Sequence, residues 1–219
     1  MKNKFIVIEG IDGAGKTTQT KFLIQRLSKQ GKKVRTIHFP RHGQNIFGKL
    51  IDEYLANKFG PAPKLDYRLA SLLYALDRFE VKQKINNWLK KGYWVILDRY
   101  VESNFGHQGG KIKNKRERLK VIQWLYDLDY KLLKNPKPDL VLFLDVPVKF
   151  VIELLGKTGK KQDGHESDRK YLRKTYQAYQ DACQKFKYWQ SIPCIRHNQL
   201  LAIEKIADKL WARIRKVGK

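Results

Sequence analysis

Residues 10–17 read Gly-Ile-Asp-Gly-Ala-Gly-Lys-Thr, an unbroken match to G-x-x-x-x-G-K-[ST]. An apolar run over residues 4–9 (KFIVIE) precedes it. Residues 16–30 follow with Phe22, Leu23 and Leu27 at helical spacing, up to Gly31. A strand, a glycine-rich turn and a helix in that order leave little freedom. The turn curls so that backbone N–H groups face a polyphosphate at a helix N-terminus, where the dipole favours an anion. Gly10, Gly13, Ala14, Gly15, Lys16, Thr17 and Thr18 are therefore the candidate nucleotide-binding residues. Lys16 is expected to reach the β- and γ-phosphates, and the Thr17 hydroxyl to take a Mg²⁺ position. No N-K-x-D motif follows a strand, which disfavours guanine and leaves ATP as the expected nucleotide.

The rest of the chain alternates in the same way. Strands are predicted over 34–39, 93–97, 139–144 and 192–195. Helices are predicted over 46–57, 66–91, 115–133, 148–155, 168–186 and 200–214. Strands separated by helices imply right-handed crossovers and an α/β fold of the P-loop NTPase type. The expected architecture is a parallel five-stranded sheet with helices on both faces. No repeat or linker divides residues 1–219, so one domain is expected, with a mobile lid over the Gly/Lys-rich segment 156–168. Residues 98–110, with Gly106, Gly109 and Gly110, read as a loop.

The chain carries 46 Lys+Arg against 21 Asp+Glu, a net charge of +25. The basic residues are scattered over what read as solvent faces of helices, such as Lys82, Lys84, Lys90 and Lys91. An anionic small substrate accounts for that charge as well as nucleic acid does, and no nucleic-acid partner is expected. The apolar runs are too short to cross a bilayer. Met1-Lys2-Asn3-Lys4 leads directly into the first strand, so no cleaved leader is expected. Cys183 and Cys194 have no His partners at metal spacing and read as reduced thiols. A cytoplasmic protein is the expectation.

Two arginines point to a second anion. Arg99 follows Asp98 at the carboxyl end of a strand, the edge where open α/β sheets bind ligands, and Arg41 follows Pro40 at the end of another. A guanidinium grips phosphate oxygens with paired donors, which suits an acceptor held in line. Asp98 is placed either to hold Mg²⁺ through water or to orient the second nucleotide.

The ordered set of Gly10–Thr17 with its internal Asp12, Phe39-Pro40-Arg41, Tyr74–Arg78 (YALDR), Asp98-Arg99-Tyr100, Ser103, Gln108-Gly109-Gly110 and residues 137–146 (KPDLVLFLDV) resembles the thymidylate kinase family over nearly the whole chain. The resemblance implies transfer of the ATP γ-phosphoryl group to dTMP and a homodimer. It implies that Asp12 accepts from the sugar 3′-hydroxyl, Tyr74 stacks on thymine and Arg78 meets the base edge. It further implies that Arg99 and Arg41 clamp the acceptor phosphate, and that Ser103, Asn104 and Gln108 belong to the base-reading stretch. His107 departs from the family, which usually carries Tyr or Phe there, on the side that disfavours a ribose 2′-hydroxyl.

A second departure is Gly13, where some relatives have an arginine. The cation for the transferring group is then expected from the lid, chiefly Lys157 and Lys160, with Lys161 and Arg169 nearby. A kinase for another nucleotide or a deoxynucleoside is the rival within the same chemistry. A nucleic-acid-dependent ATPase is the rival outside it.

Overall fold

The computed structural model describes residues 4–158 and 169–216. Its centre is β1 (Phe5–Glu9), in which all five residues are buried. A strand buried on both faces needs a partner on each edge. β1 has them in β3 (Trp94–Asp98) and β4 (Leu140–Asp145), both parallel to it. With β2 (Val34–His38) and β5 (Trp189–Pro193) outside these, the sheet has five parallel strands in the order β2-β3-β1-β4-β5. The expected architecture is present.

Helices cover both faces: α1 (Lys16–Lys29), α2 (Ile46–Leu55), α3 (Tyr67–Glu80), α4 (Lys82–Lys90), α5 (Glu102–His107), α6 (Lys115–Tyr126), α7 (Val148–Thr158), α8 (Arg169–Lys185) and α9 (Ile203–Lys216). Burying the apolar strand faces under these helices is the main favourable term, at roughly 25 cal/mol per Å² removed from water.

Several boundaries differ from the sequence reading, each for a physical reason. The single helix expected over 66–91 is interrupted at Val81, whose φ of −101° and ψ of 6° separate α3 from α4. The last strand begins at Trp189 rather than at residue 192, because buried Trp189 pairs with Val141 of β4. The helix expected over 115–133 passes after Tyr126 into a π-helical stretch, Asp127–Leu132, which turns Asp129 fully inward.

The largest difference concerns the glycines after β3. They do not make a loop. Residues 102–107 form α5, a 3₁₀ turn follows over Gly109–Lys111, and both pack on α8. A Cβ on Gly106 would lie 2.4 Å from the Tyr179 ring, and one on Gly110 would lie 3.1 Å from the backbone of Lys174. These glycines serve close helix packing.

α5 also buries Glu102, which accepts from the hydroxyls of Tyr130 (2.6 Å) and Tyr188 (3.1 Å). Burial pushes its carboxyl up from 4.5 to about 8, and the neighbouring Glu9 carboxylate adds to the rise, so Glu102 holds its proton at neutral pH.

Two outcomes follow from this packing. Gly106→Ala should destabilise the chain by about 1–3 kcal/mol, a melting-temperature drop of roughly 2–10 °C, since fully buried Tyr179 has nowhere to retreat. For Glu102, the unfolded chain ionises near 4.5 while the folded chain keeps the proton to about 8. Stability therefore falls as pH rises through that window. Glu102→Gln removes the loss, so its melting temperature relative to wild type should climb between about pH 5 and about pH 9. A constant difference would contradict a neutral Glu102.

Candidate active site

The parallel register aligns Ile8 of β1 with Asp98 of β3, and His38 of β2 also with Asp98. The turns leaving these strands therefore emerge at one edge. There they border a cleft of about 530 Å³. Its lining includes Asp12, Gly13, Gly15, Lys16, Thr17 and Thr18 from the glycine-rich turn. It also includes Tyr74, Arg78, Asp98, Arg99, Ser103, Asn104, His107 and Gln108. Nearly all the residues singled out from the sequence thus meet in one place.

The phosphate end is built on α1. Gly15, with φ of 87°, caps the helix without a side-chain hydrogen bond. The Lys16 ammonium is buried and donates to the carbonyls of Gly10 and Ile11, each at 2.9 Å, with the Asp12 carboxylate at 3.7 Å. At Gly13, with φ of 81°, a Cβ would lie 2.9 Å from Val151 and 3.0 Å from Leu155 of α7. The turn is pressed so closely by α7 that a side chain at this position would collide with it.

The Thr17 hydroxyl donates to Asp98 Oδ2 at 2.6 Å, and His38 Nδ1 lies 3.3 Å from the same oxygen. Burial alone would raise the Asp98 carboxyl; the hydrogen bonds from His38 and Thr17 and the Lys16 charge overcome it and hold Asp98 below the ordinary carboxylate value. Asp98 Oδ1 is buried with no hydrogen-bond partner among the described residues. An ionised, partly unsatisfied carboxylate beside a hydroxyl is a donor set that fits Mg²⁺, which takes one or two protein oxygens and completes its shell with phosphate and water.

The far end of the cleft is framed by α3 and α5. Tyr74 meets Tyr54 edge to face, with centroids 6.3 Å apart and planes at 87°, which sets the plane of its ring. Arg78 is 2% exposed and grips Asp129 with two bonds, from Nε at 3.0 Å and Nη2 at 2.9 Å, leaving Nη1 toward the Tyr100 carbonyl at 3.4 Å. Asn104 and Gln108 lie four apart on one face of α5 and its C-terminal cap. Both are almost wholly buried, and Asn104 Nδ2 and Gln108 Oε1 have no hydrogen-bond partners among the described residues. A buried donor and a buried acceptor of this kind are costly to leave unpaired.

Between the two ends stands Arg99, at φ of 69°. Its guanidinium donates to the Asp12 carboxylate and, through Nη1, lies 3.0 Å from His107 Nε2.

One expected residue falls elsewhere. Arg41 does not line the cleft: its guanidinium donates to Asp77 Oδ1 (3.0 Å), the Asp77 carbonyl (2.9 Å) and Glu80 (2.9 Å), so it ties the segment after β2 to α3. Arg41 was expected on the acceptor phosphate because it follows a strand-ending proline; two carboxylates on α3 hold it instead. The Lys157 side chain and all of Lys160, with most of the expected lid, lie outside the described residues. Ser103, expected near the base, donates to Glu9 at 3.0 Å.

Glu9 was missed, because a Glu ending a strand reads as solvent-facing. It is fully buried and also accepts from the Tyr100 N–H and the Tyr179 hydroxyl, both at 2.9 Å. Burial raises its carboxyl, with Arg99, the Tyr100 N–H and Lys16 pulling against the rise. Tyr171 was missed as well: it sits in the first turn of α8, lines the cleft, and accepts from His107 Nδ1 at 2.7 Å. An aromatic on an amphipathic helix gives no sequence sign of facing a cleft.

The chain is similar to known proteins over most of its length. Residues 8–199 match the family model for thymidylate kinase. The chain is 32% identical to the probable thymidylate kinase of Pyrococcus abyssi (strain GE5 / Orsay), covering 98% of this chain and 97% of that protein. It is 29% identical to the thymidylate kinase of Plasmodium falciparum (isolate 3D7), over 91% of this chain and 89% of the other. The solved thymidylate kinase of Candida albicans superposes with a TM-score of 0.76 at 28% identity, covering 98% of this chain and 92% of that one. By fold, cleft and sequence together, this chain is an enzyme of the thymidylate kinase family of nucleoside monophosphate kinases.

Proposed function

We propose that this enzyme transfers the γ-phosphoryl group of ATP to thymidine 5′-monophosphate, giving ADP and thymidine 5′-diphosphate. The observation that carries the choice of acceptor is the unsatisfied pair Asn104 Nδ2 and Gln108 Oε1 beside the Tyr74 ring. A thymine edge offers an N–H between two carbonyls, which one amide donor and one amide acceptor can satisfy together. The aromatic face adds about 1–3 kcal/mol of stacking. Arg78 completes this wall through its remaining Nη1 group.

Phosphoryl transfer asks the protein for alignment and positive charge rather than for a strong base. The acceptor phosphate oxygen is itself the nucleophile. Residues 10–18 hold the triphosphate by their backbone N–H groups and Lys16. Lys16 exchanges the Gly10 and Ile11 carbonyls for phosphate oxygens, which accept more strongly because they are charged. Arg99 receives the acceptor phosphate, and Asp12, released from Arg99, accepts from the sugar 3′-hydroxyl. Thr17 and Asp98 would hold Mg²⁺. When bound, the ion would supply positive charge to the phosphate oxygens as the transfer proceeds.

We further place the enzyme in the cytoplasm as a homodimer. Among the described residues no helix is long and apolar enough to cross a membrane, and Cys183 and Cys194 are unpaired. On α3, Leu69, Leu72 and Phe79 are exposed and, with half-buried Leu76, recur at the 3-4-3 spacing of a helix-pairing stripe. A second copy of the chain supplies a matching stripe.

ADP release measured across dTMP, other pyrimidine monophosphates and free thymidine tests the acceptor. The dTMP reaction should have the highest kcat/KM, and a faster free nucleoside would overturn the proposal. Lys16→Ala should abolish transfer. Arg99→Ala should lower kcat/KM for dTMP by about 10²–10³-fold while ATP affinity stays nearly constant. Leu72→Glu should shift the enzyme to monomer in size-exclusion chromatography.

A further inference from the structure

We propose that Tyr171 is a positioning residue for the acceptor-phosphate clamp, acting through His107 to fix the Arg99 guanidinium. The inference rests on the reading of Arg99 given above and extends it to α8.

The hydrogen-bond chain dictates the protonation pattern. A guanidinium has five donors and no acceptor. Arg99 Nη1 lies 3.0 Å from His107 Nε2, so that nitrogen must present its lone pair. The imidazole is then neutral with its hydrogen on Nδ1. Nδ1 lies 2.7 Å from the Tyr171 hydroxyl and donates to it. The phenol oxygen thereby anchors the ring, in the tautomer that Arg99 requires, with Nε2 toward the guanidinium. Burial keeps the Tyr171 phenol protonated far above the working range of pH, so this anchor does not change.

Packing fixes the histidine further. Its ring stacks on Tyr171, with centroids 5.9 Å apart and planes at 28°, and meets Tyr179 edge-on at 6.1 Å and 80°. Tyr179 is locked in turn by Gly106 and Glu9.

The consequence for the site is directional. Arg99 is held at two points, by Asp12 and by His107. An arriving phosphate competes with Asp12 for the guanidinium. The neutral His107 acceptor stays engaged and keeps the guanidinium plane aimed while that exchange occurs. Without the Tyr171 hydroxyl, Nδ1–H loses its acceptor and the ring loses its anchor on α8. Nε2 can then swing from Arg99, and the guanidinium is held at one point fewer. A second-point anchor of this kind is the same device by which an outer hydrogen bond orients a ligating histidine.

The test compares dTMP and thymidine, which differ by the phosphate that Arg99 binds. Tyr171→Phe keeps the ring and removes the hydroxyl. It should raise the KM for dTMP about 5–10-fold, while the inhibition constant of thymidine and the KM for ATP stay within about twofold. His107→Phe should behave likewise. His107→Gln offers an acceptor to Arg99 and a donor to Tyr171, and should restore most of the dTMP affinity. Melting temperatures confirm that Tyr171→Phe is folded. Equal losses for dTMP and thymidine would show a packing role and overturn the proposal, as would an unchanged dTMP KM in Tyr171→Phe. A wild-type enzyme that turns over no monophosphate would overturn the functional reading and this proposal together. An active wild type with an indifferent Tyr171→Phe overturns this proposal alone.

Discussion

The parallel pairing of β1 with β3, in which Ile8 stands opposite Asp98, is the constraint on which the rest of the site depends. It sends the glycine-rich turn and the Asp98-Arg99-Tyr100 turn out of the same sheet edge at neighbouring positions. Two direct contacts then become possible without any long reach: Thr17 to Asp98 at 2.6 Å, and Arg99 to Asp12. A slip of one residue would turn every side chain of a strand to the opposite face. Because both strands are buried on both faces, the apolar residues themselves tolerate such a slip better than the polar ends do. Asp98, Glu9 and Arg99 are therefore the groups that pin the register, and two of them, Asp98 and Arg99, line the cleft.

Holding them there is expensive. Glu9 and Glu102 are two fully buried carboxyls; desolvation disfavours charge on each, and the Glu9 charge adds to the rise at Glu102. The structure offsets this with hydroxyl and backbone donors: Tyr179, Ser103 and the Tyr100 N–H on Glu9, and Tyr130 and Tyr188 on Glu102. These donors come from α5, α8 and the segments beside β4 and β5. The polar network thus binds the helices that carry Asn104, His107 and Tyr171 to the central strand. Close approach of α5 to α8, allowed by Gly106 and Gly110, is what lets one helix support the other's cleft-facing side chains.

The fold was legible because strand and helix periods are strong in residues such as Phe5–Glu9 and Leu140–Asp145, where burial leaves continuous apolar runs. The phosphate end was legible for the same reason that it works: a backbone cradle needs glycines at fixed spacing. The glycines after β3 misled, since a glycine that admits a neighbouring ring looks the same in sequence as one that turns a chain. Arg41 misled because a guanidinium near a strand end carries no mark of which anion it will meet, and Asp77 lies a helix away. Glu9 and Tyr171 were invisible because their importance arises from contacts across the fold, to Tyr179 and to His107, and not from any local pattern.

The arginines and the turn lysine divide by the anion that each meets in the structure. Arg78 is bound bidentately to Asp129, with both side chains buried, and Arg41 to Asp77. Releasing either would strand a buried carboxylate, a loss on the order of 3–5 kcal/mol, so Arg78 fixes the cleft wall and Arg41 fixes the segment behind it. Lys16 and Arg99 both lean on Asp12, which is more accessible and shared. A single carboxylate between two cations lowers the self-energy of a strongly positive cleft, and Asp12 is the carboxylate that Lys16 and Arg99 share. Because α7 presses on Gly13, no side chain of the turn can add a third cation there.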